Sequence, residues 1–194
     1  MPVGLPDPND VAAYDELEKR QIGGPRPLTG PIELRDYDPS WPERYAEHAA
    51  RLLAALGDRL VRVEHVGSTS VPGLAAKPIV DIALEVPDSA DEPAYVGDLE
   101  AAGYVLRFRE PEWFDHRFFD TPDRDVNLHV FSPGCSETDR MVRFRDWLRC
   151  SDADRELYLQ TKRELATRDW KYGQQYADAK TGVVDEIMTR ATAR

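Results

Sequence analysis

The stretch of sequence that decides the fold is residues 60–86, LVRVEHVGSTSVPGLAAKPIVDIALEV. Its two ends, Leu60–Val66 and Ile79–Val86, are rich in β-branched residues and predict two strands. In the second strand apolar and polar side chains alternate, which places Asp81 on the face opposite the apolar one. The small residues between the two strands predict a tight Gly-Ser turn. We therefore predict a strand, a turn and a strand, with a carboxylate projecting from the second strand.

Helical and extended patterns flank this segment on both sides. Before it, Ile32–Tyr37 predicts a short strand, and Ser40 begins a helix that continues at helical spacing as far as Gly57. After it, a helix near Asp91–Ala102 precedes further strands, and helical periodicity starts again at Glu137. The further predicted strands are Tyr104–Arg109, Asp115–Asp120 and Val126–Phe131. This order predicts an α+β fold, with a mixed sheet flanked by helices and a helical C-terminal third.

Residues 1–31 differ in composition from the rest of the chain. They contain six of its fifteen prolines, and their last residues are dominated by glycine and proline, which is typical of an irregular segment. We interpret them as an N-terminal arm or extension, and residues 32–194 as one folded domain. Because the arm offers few apolar residues to bury, we expect it to contribute little to stability.

Composition and charge narrow the classes of partner. Acidic residues outnumber basic ones by 36 to 25, so a nucleic-acid polymer is not expected, because such partners require Lys and Arg to neutralise phosphates. No apolar run approaches the roughly 20 residues that a membrane span needs. Cys135 and Cys150 are too few for a disulfide framework and fit a reducing compartment. We expect a cytoplasmic protein with a small anionic or nucleotide ligand; nothing here specifies an oligomeric state.

The Gly-Ser turn and the mid-strand carboxylate together suggest a site for a phosphorylated ligand. Backbone N–H groups and hydroxyls of such a turn can converge on an anion, and Asp81 could supply a hard oxygen ligand for a divalent metal. Small residues also form turns without any ligand, so Asp81 is the more specific signal, because a lone carboxylate is an unusual choice for a buried strand. The predicted phosphate-binding residues of this segment are Gly67, Ser68, Thr69, Ser70 and Lys77.

The segment His65–Ile82 resembles the signature of the GrpB-like (UPF0157-type) family, which has the nucleotidyltransferase fold of DNA polymerase β-like proteins. The resemblance covers about residues 32–193 and continues in Asp36–Pro42, Arg117–Phe119, Leu128–Val130, Phe144–Leu148 and Tyr176–Lys180. It implies a small mixed sheet with a Gly-Ser turn and with metal-binding carboxylates on adjacent strands. In active members of the superfamily, those carboxylates hold two metal ions that position a nucleotide for in-line attack.

This chain departs from the superfamily pattern at the second acid. Asp81 keeps the first acid, but Ala83 occupies the position of the second, and Glu85 lies roughly 7 Å further along the strand. On the later strand, Asn127 and His129 project from the face where a third acid is expected. The resemblance therefore leaves Asp81, Glu85 and His129 as candidate catalytic and metal-binding residues. They belong either to an altered active site or to a catalytically inactive site that still binds a nucleotide or a similar phosphate.

Basic residues outside the turn are further candidates for binding phosphate. Arg117 has a guanidinium fork that suits phosphate geometry. Three helical residues could also turn toward the cleft: Arg145, Lys162 and Lys180. Each of these positions is equally compatible with a salt bridge or with a solvated surface.

Three functions are compatible with these features. The first is metal-dependent nucleotidyl or phosphoryl transfer from a nucleoside triphosphate to a small metabolite, with Mg²⁺ or Mn²⁺ as the cofactor. The second is a catalytically degenerate module that binds a nucleotide or coenzyme A, suggested by Ala83 and by the family's occurrence in some bacteria as a domain fused to dephospho-coenzyme A kinase. The third is an interaction scaffold, suggested by the acidic composition and the C-terminal helices.

Overall fold

A computed structural model of the chain describes residues 6–193 and has one five-stranded sheet at its centre. The strands are Arg62–Val66 (β1), Val80–Glu85 (β2), Val105–Glu110 (β3), His116–Asp120 (β4) and Val126–Phe131 (β5). Their spatial order is β1-β2-β5-β4-β3. β2 runs parallel to β5, and the other neighbouring pairs are antiparallel. The predicted α+β fold with a mixed sheet is therefore confirmed.

Helices surround the sheet, and the chain is helical from Ser136 onward, as predicted. The α-helices of the described residues are Val11–Glu18 (α1), Trp41–Leu56 (α2), Val96–Ala101 (α3), Ser136–Cys150 (α4), Asp152–Ala166 (α5), Gly173–Asp178 (α6) and Thr181–Thr192 (α7). Within residues 6–193, none of them combines the length and the apolar character needed to cross a membrane.

The two faces of the sheet have different coverings. On the apolar face, Ile82 and Leu84 of β2 are fully buried and belong to one core cluster with Leu52 of α2 and Leu99 of α3. The polar face carries Asp81. Helices α4, α5 and α7 pack beside it in a second cluster, which consists of Val71, Leu74, Ala75, Leu148, Tyr158, Leu159 and Ile187. The β1–β2 connection therefore lies where the polar face meets the C-terminal helices.

The strand predicted at Ile32–Tyr37 does not form. This segment makes only a single antiparallel bridge, between Arg35 and Ala76. Ala76 lies in the β1–β2 connection, and Pro78 follows two residues later. Because proline has no N–H to donate, the bridge cannot extend into a ladder on the Pro78 side.

The N-terminal arm packs against α6. Tyr14 of α1 is completely buried, and its hydroxyl donates a hydrogen bond to Asp178 Oδ2 at 2.7 Å. Gln175 Nε2 donates to the Pro8 carbonyl at 2.9 Å. Asp15 accepts hydrogen bonds from Lys171 Nζ at 2.6 Å and from the Tyr172 hydroxyl.

The arm then crosses to the edge of the sheet. The Ile22 N–H donates to the Arg107 carbonyl of β3 at 2.8 Å, and Arg26 Nη1 lies 2.5 Å from Asp120 Oδ2 of β4. The arm is thus bound at both ends of its path, and these contacts argue against the expectation of a minor contribution to stability. Composition was misleading because one aromatic residue and several long-range hydrogen bonds provide the attachment. Residues 1–5 of the arm lie outside the described residues.

Replacing Tyr14 tests this attachment. We expect Tyr14→Ala to lower the free energy of unfolding by about 3–5 kcal/mol, the usual effect of removing a buried aromatic ring. Val11→Ala, at an exposed position of the same helix, should change it by less than about 0.5 kcal/mol. Urea denaturation of both variants measures the difference, and equal stabilities would show that the arm is not part of the folded unit.

Candidate functional site

The site begins where Gly67 contacts Asp81. Gly67 has φ +69° and ψ −172°, a conformation almost restricted to glycine. A Cβ added to Gly67 would lie 2.8 Å from Asp81 Cγ and would overlap Oδ2. Only a residue without a side chain therefore lets the carboxylate lie against the backbone of the turn.

Asn127 holds the Asp81 carboxylate from the neighbouring strand. The two residues are partners in the parallel register of β2 and β5, and Asn127 Nδ2 donates to Asp81 Oδ1 at 2.7 Å. The predicted strand, turn and strand is confirmed, and Asp81 as a residue is partly exposed. Burial raises the pKa of Asp81, while the Asn127 hydrogen bond and nearby lysines oppose that rise.

Three lysines from separate parts of the chain gather around Asp81, and we call Lys77, Lys162 and Lys180 the lysine cluster. The chain has only five lysines among its 25 lysines and arginines, so this concentration at one carboxylate is not a property of its overall composition. Lys162 Nζ donates to Ser68 Oγ at 3.1 Å and also to the Ala75 carbonyl.

Two tyrosines line the lysine cluster. The ring centroid of Tyr176 lies 5.6 Å from Lys77 Nζ and 4.6 Å from Lys180 Nζ, and that of Tyr158 lies 5.0 Å from Lys162 Nζ. These are cation–π distances, at which the ring face partly compensates an ammonium group for lost water. The buried Tyr176 hydroxyl has no hydrogen-bond partner within residues 6–193.

The amines of the lysine cluster are incompletely neutralised. Burial lowers the pKa of Lys162 to about 7, and the nearby Lys180 lowers it further. Burial likewise lowers the pKa of Lys77 to about 8 and also lowers that of Lys180. Asp81 is the carboxylate that interacts with all three amines, and Asp178 adds negative charge at Lys180. An anion with more than one charge would therefore complete the site electrostatically.

The hydroxyls of the turn divide into two roles. Ser68 Oγ meets Lys162, as described above. Thr69 Oγ1 lies 3.1 Å from His65 Nε2 and donates to the Ile79 carbonyl, and Ser70 Oγ donates to the Gly67 carbonyl at 2.5 Å. Thr69 and Ser70 are buried and brace the turn, so Ser68 is the hydroxyl directed to the lysine cluster.

Glu85 and His129 lie away from the lysine cluster. Glu85 is four residues beyond Asp81, about 13 Å along the strand, where it is buried 3.7 Å from Arg62 Nη1. His129 stands opposite Ala83, and its Nδ1 lies 3.1 Å from His116 Nε2. Burial lowers the pKa of His129 to about 3.

The two predicted arginines are occupied by carboxylates elsewhere. Arg117 pairs in register with Val130, a residue of the apolar face, and its Nε lies 2.6 Å from Glu92. It therefore points away from Asp81, because successive residues of a strand face opposite sides. Arg145 donates to Glu64 at 2.8 Å and to the His65 carbonyl.

The residues of the site do not fit a metal centre of the two-metal type. Within residues 6–193, no group of three or more His, Cys, Asp or Glu side chains is placed to hold a metal ion. Asp81 contributes one carboxylate, and the charged groups that act on it are the three amines of the lysine cluster. Divalent magnesium or manganese prefers several oxygen ligands, so we derive no chemical step from a protein-held metal.

Sequence reasoning missed the two tyrosines, although a signal for them exists. Tyr158 precedes Lys162 by four residues, and Tyr176 precedes Lys180 by four. On α5 this spacing makes Tyr158 and Lys162 neighbours. Lys180 lies two residues beyond the end of α6, where its amine still reaches the Tyr176 ring. The occurrence of two Tyr–Lys pairs at the same spacing was the sequence signal that could have identified the tyrosines.

Comparison with known proteins identifies the family. The family described as "GrpB protein" matches residues 31–190. The chain belongs to the GrpB family. A UPF0157 protein of Halalkalibacterium halodurans is 56% identical over 179 residues, covering 92% of each chain. The crystal structure of the GrpB protein from Enterococcus faecalis superposes with a TM-score of 0.71 at 29% identity, covering 82% of this chain and 96% of that one.

A longer relative contains a similar region. A protein of Mycolicibacterium paratuberculosis named dephospho-CoA kinase is 32% identical to the GrpB-family chain over 178 residues. The match covers 78% of this chain but only 42% of the kinase.

Two glycines of the GrpB-family chain test the close contact at Asp81. Gly67 and Gly73 both have positive φ, of +69° and +79°, but an added Cβ at Gly73 meets no atom within 4 Å. We expect Gly73→Ala to cost about 1–2 kcal/mol of stability from backbone strain. Gly67→Ala should cost about 1–3 kcal/mol more because of the overlap. Urea denaturation checks this, and equal losses would contradict the contact.

The buried amines also predict a pH dependence of stability without ligand. The unfolded chain has ordinary lysine pKa values near 10.4, so from about pH 7 to about pH 9 it binds more protons than the folded chain. Stability should therefore rise with pH over this interval. Lys162→Met should reduce the slope by on the order of 1 kcal/mol per pH unit. Lys19→Met, at an exposed position, serves as the control; identical slopes in both variants would refute the shifted pKa.

Proposed function

We propose that this GrpB-family chain binds a phosphorylated small molecule of the nucleotide or coenzyme A class at the lysine cluster. The observation that carries the proposal is the convergence of three desolvated amines and the Ser68 hydroxyl beside one carboxylate. The similarity of part of a dephospho-CoA kinase supports the coenzyme A class.

The electrostatics favour a phosphate group over a carboxylate. A phosphate monoester carries up to two charges and several acceptor oxygens, and the lysine cluster offers up to three positive charges. Binding such a dianion raises the lowered lysine pKa values, so complex formation takes up protons near neutral pH. The unpartnered Tyr176 hydroxyl lies on a ring that contacts Lys77 and Lys180, and it provides a further donor beside the phosphate.

This arrangement favours charge neutralisation by lysines over metal-dependent transfer. The superfamily chemistry needs at least two acids near the turn, whereas this chain has Ala83 at the second position and Glu85 at the far end of the strand. Metal-dependent nucleotidyl transfer remains the competing function. An interaction scaffold would leave the gathered lysines unexplained.

Titration calorimetry tests the proposal directly. We expect coenzyme A, dephospho-coenzyme A or ATP to bind without added metal, and adenosine and pantetheine, which lack phosphate, not to bind. Lys180→Met should weaken binding about ten- to a hundredfold, since a charged hydrogen bond contributes about 1.5–3 kcal/mol. Lys19→Met should bind like the wild type. Affinity should fall between about pH 7 and about pH 9 as the amines lose protons.

Replacing Asp81 separates the two functions. Asp81→Asn removes a negative charge beside the lysine cluster, so metal-free binding should hold or tighten. If wild-type binding instead requires Mg²⁺ or Mn²⁺, and Asp81→Asn abolishes this metal-dependent binding, the metal-dependent function is correct. Failure of every phosphorylated compound to bind, or unchanged binding by Lys180→Met, would overturn the lysine-cluster proposal.

A further inference from the structure

Ser68 and Lys162 form a pair with the geometry of a nucleophile and its base. Ser68 Oγ lies 3.1 Å from Lys162 Nζ, and Ser68 is partly exposed while Lys162 is almost completely buried. A hydroxyl becomes an effective nucleophile when a neighbouring group accepts its proton, and a neutral lysine serves this purpose in known Ser-Lys sites.

The surroundings of Lys162 suit a neutral amine. One N–H donates to the Ala75 carbonyl, which leaves the lone pair free to accept the Ser68 proton. Burial and the charge of Lys180 lower the pKa of Lys162 to about 7, with Arg163 acting in the same direction and Asp81 opposing. A lysine used only to anchor a carbonyl would not need a serine hydroxyl on its other side.

We propose that Ser68 is a nucleophile activated by Lys162 and accepts a phosphoryl group from the ligand of the lysine cluster. This step rests on the proposed function, because that ligand is the phosphoryl donor. Ser68 Oγ forms a bond to phosphorus, and the bond from phosphorus to the leaving oxygen breaks. The Ser68 proton passes to Lys162 Nζ and then to the leaving oxygen or to water. The products are a phosphoserine and the dephosphorylated ligand, and no metal or redox partner is consumed.

Lys77, Lys180 and Tyr158 also contribute to this phosphoryl transfer. Lys77 and Lys180 offset the charge of the phosphoryl oxygens, the task that metal ions perform in other transferases. Burial raises the pKa of Tyr158 to about 12, and its interaction with Ser68 opposes that rise, so the phenol stays protonated beside the nucleophile. The Tyr158 ring lies 5.0 Å from Lys162 Nζ, so a neutral phenol flanks the base.

Acetyl phosphate, a small phosphoryl donor, is the probe for this step. Intact-mass spectrometry and peptide mapping of the full chain should show one phosphoryl group on Ser68, or consumption of acetyl phosphate that depends on Ser68 if the phosphoserine hydrolyses quickly. Ser68→Ala should abolish both signals. Ser136→Ala, at an exposed position at the start of α4, should retain them. Lys162→Met should slow the reaction on the order of 10²- to 10⁴-fold, the usual contribution of a general base.

Lys162→Arg distinguishes the nucleophile from the binding site. It keeps a positive charge for the ligand but cannot accept a proton, so nucleotide binding should persist while phosphorylation is lost. In the wild type, the rate at saturating acetyl phosphate should rise with pH above about pH 7, because the bound anion raises the pKa of Lys162 and the base must be neutral. If the wild type binds nucleotide but shows neither labelling of Ser68 nor Ser68-dependent consumption of acetyl phosphate, the nucleophile proposal is overturned. The proposed function is then retained. Loss of nucleotide binding in the wild type would instead remove the proposed function.

Discussion

The contact of the Asp81 carboxylate with the backbone of Gly67 is the constraint on which the site depends. It requires a residue without a side chain at the end of β1, and it holds the turn so that Ser68 faces α5. Asn127 fixes the carboxylate from the other side through the parallel pairing of β2 and β5. The central strand pair and the turn therefore act as one rigid support, which suits a binding site that must be preorganised.

The lysine cluster beside this support has more positive charge than Asp81 can neutralise. The chain as a whole carries a net charge of −11, yet three of its five lysines interact electrostatically with one carboxylate. Burying amines without matching anions costs free energy, and such clusters are typical of functional sites. The tyrosine rings and the Ala75 carbonyl reduce that cost in the unliganded chain. A bound phosphate would remove more of it, which links ligand binding to proton uptake and to stability.

The polar face of the sheet has two levels with different chemistry. The first contains Asp81, Asn127 and the lysine cluster. The second lies two residues further along, where His129 meets His116, which in turn lies 2.7 Å from Glu110. Because burial keeps the His129 ring neutral at ordinary pH, His129 adds no charge beside Asp81. The phosphate site that we propose therefore lies at the end of the sheet beside the Gly-Ser turn.

The sequence by itself determined the mixed sheet, the strand and turn at residues 60–86 and the exposure of Asp81, because alternation and turn chemistry are local properties. It also determined the family. Only the tertiary structure decided which basic residues share the site. Lys162 comes from α5 and Lys180 from the turn between α6 and α7, both more than 80 residues beyond the Gly-Ser turn. Arg117, equally plausible by residue type, lies on the opposite face with Glu92. The docking of the arm through Tyr14 also depends on a partner, Asp178, at the far end of the chain. Contacts between distant segments depend on packing, and local sequence patterns do not contain that information.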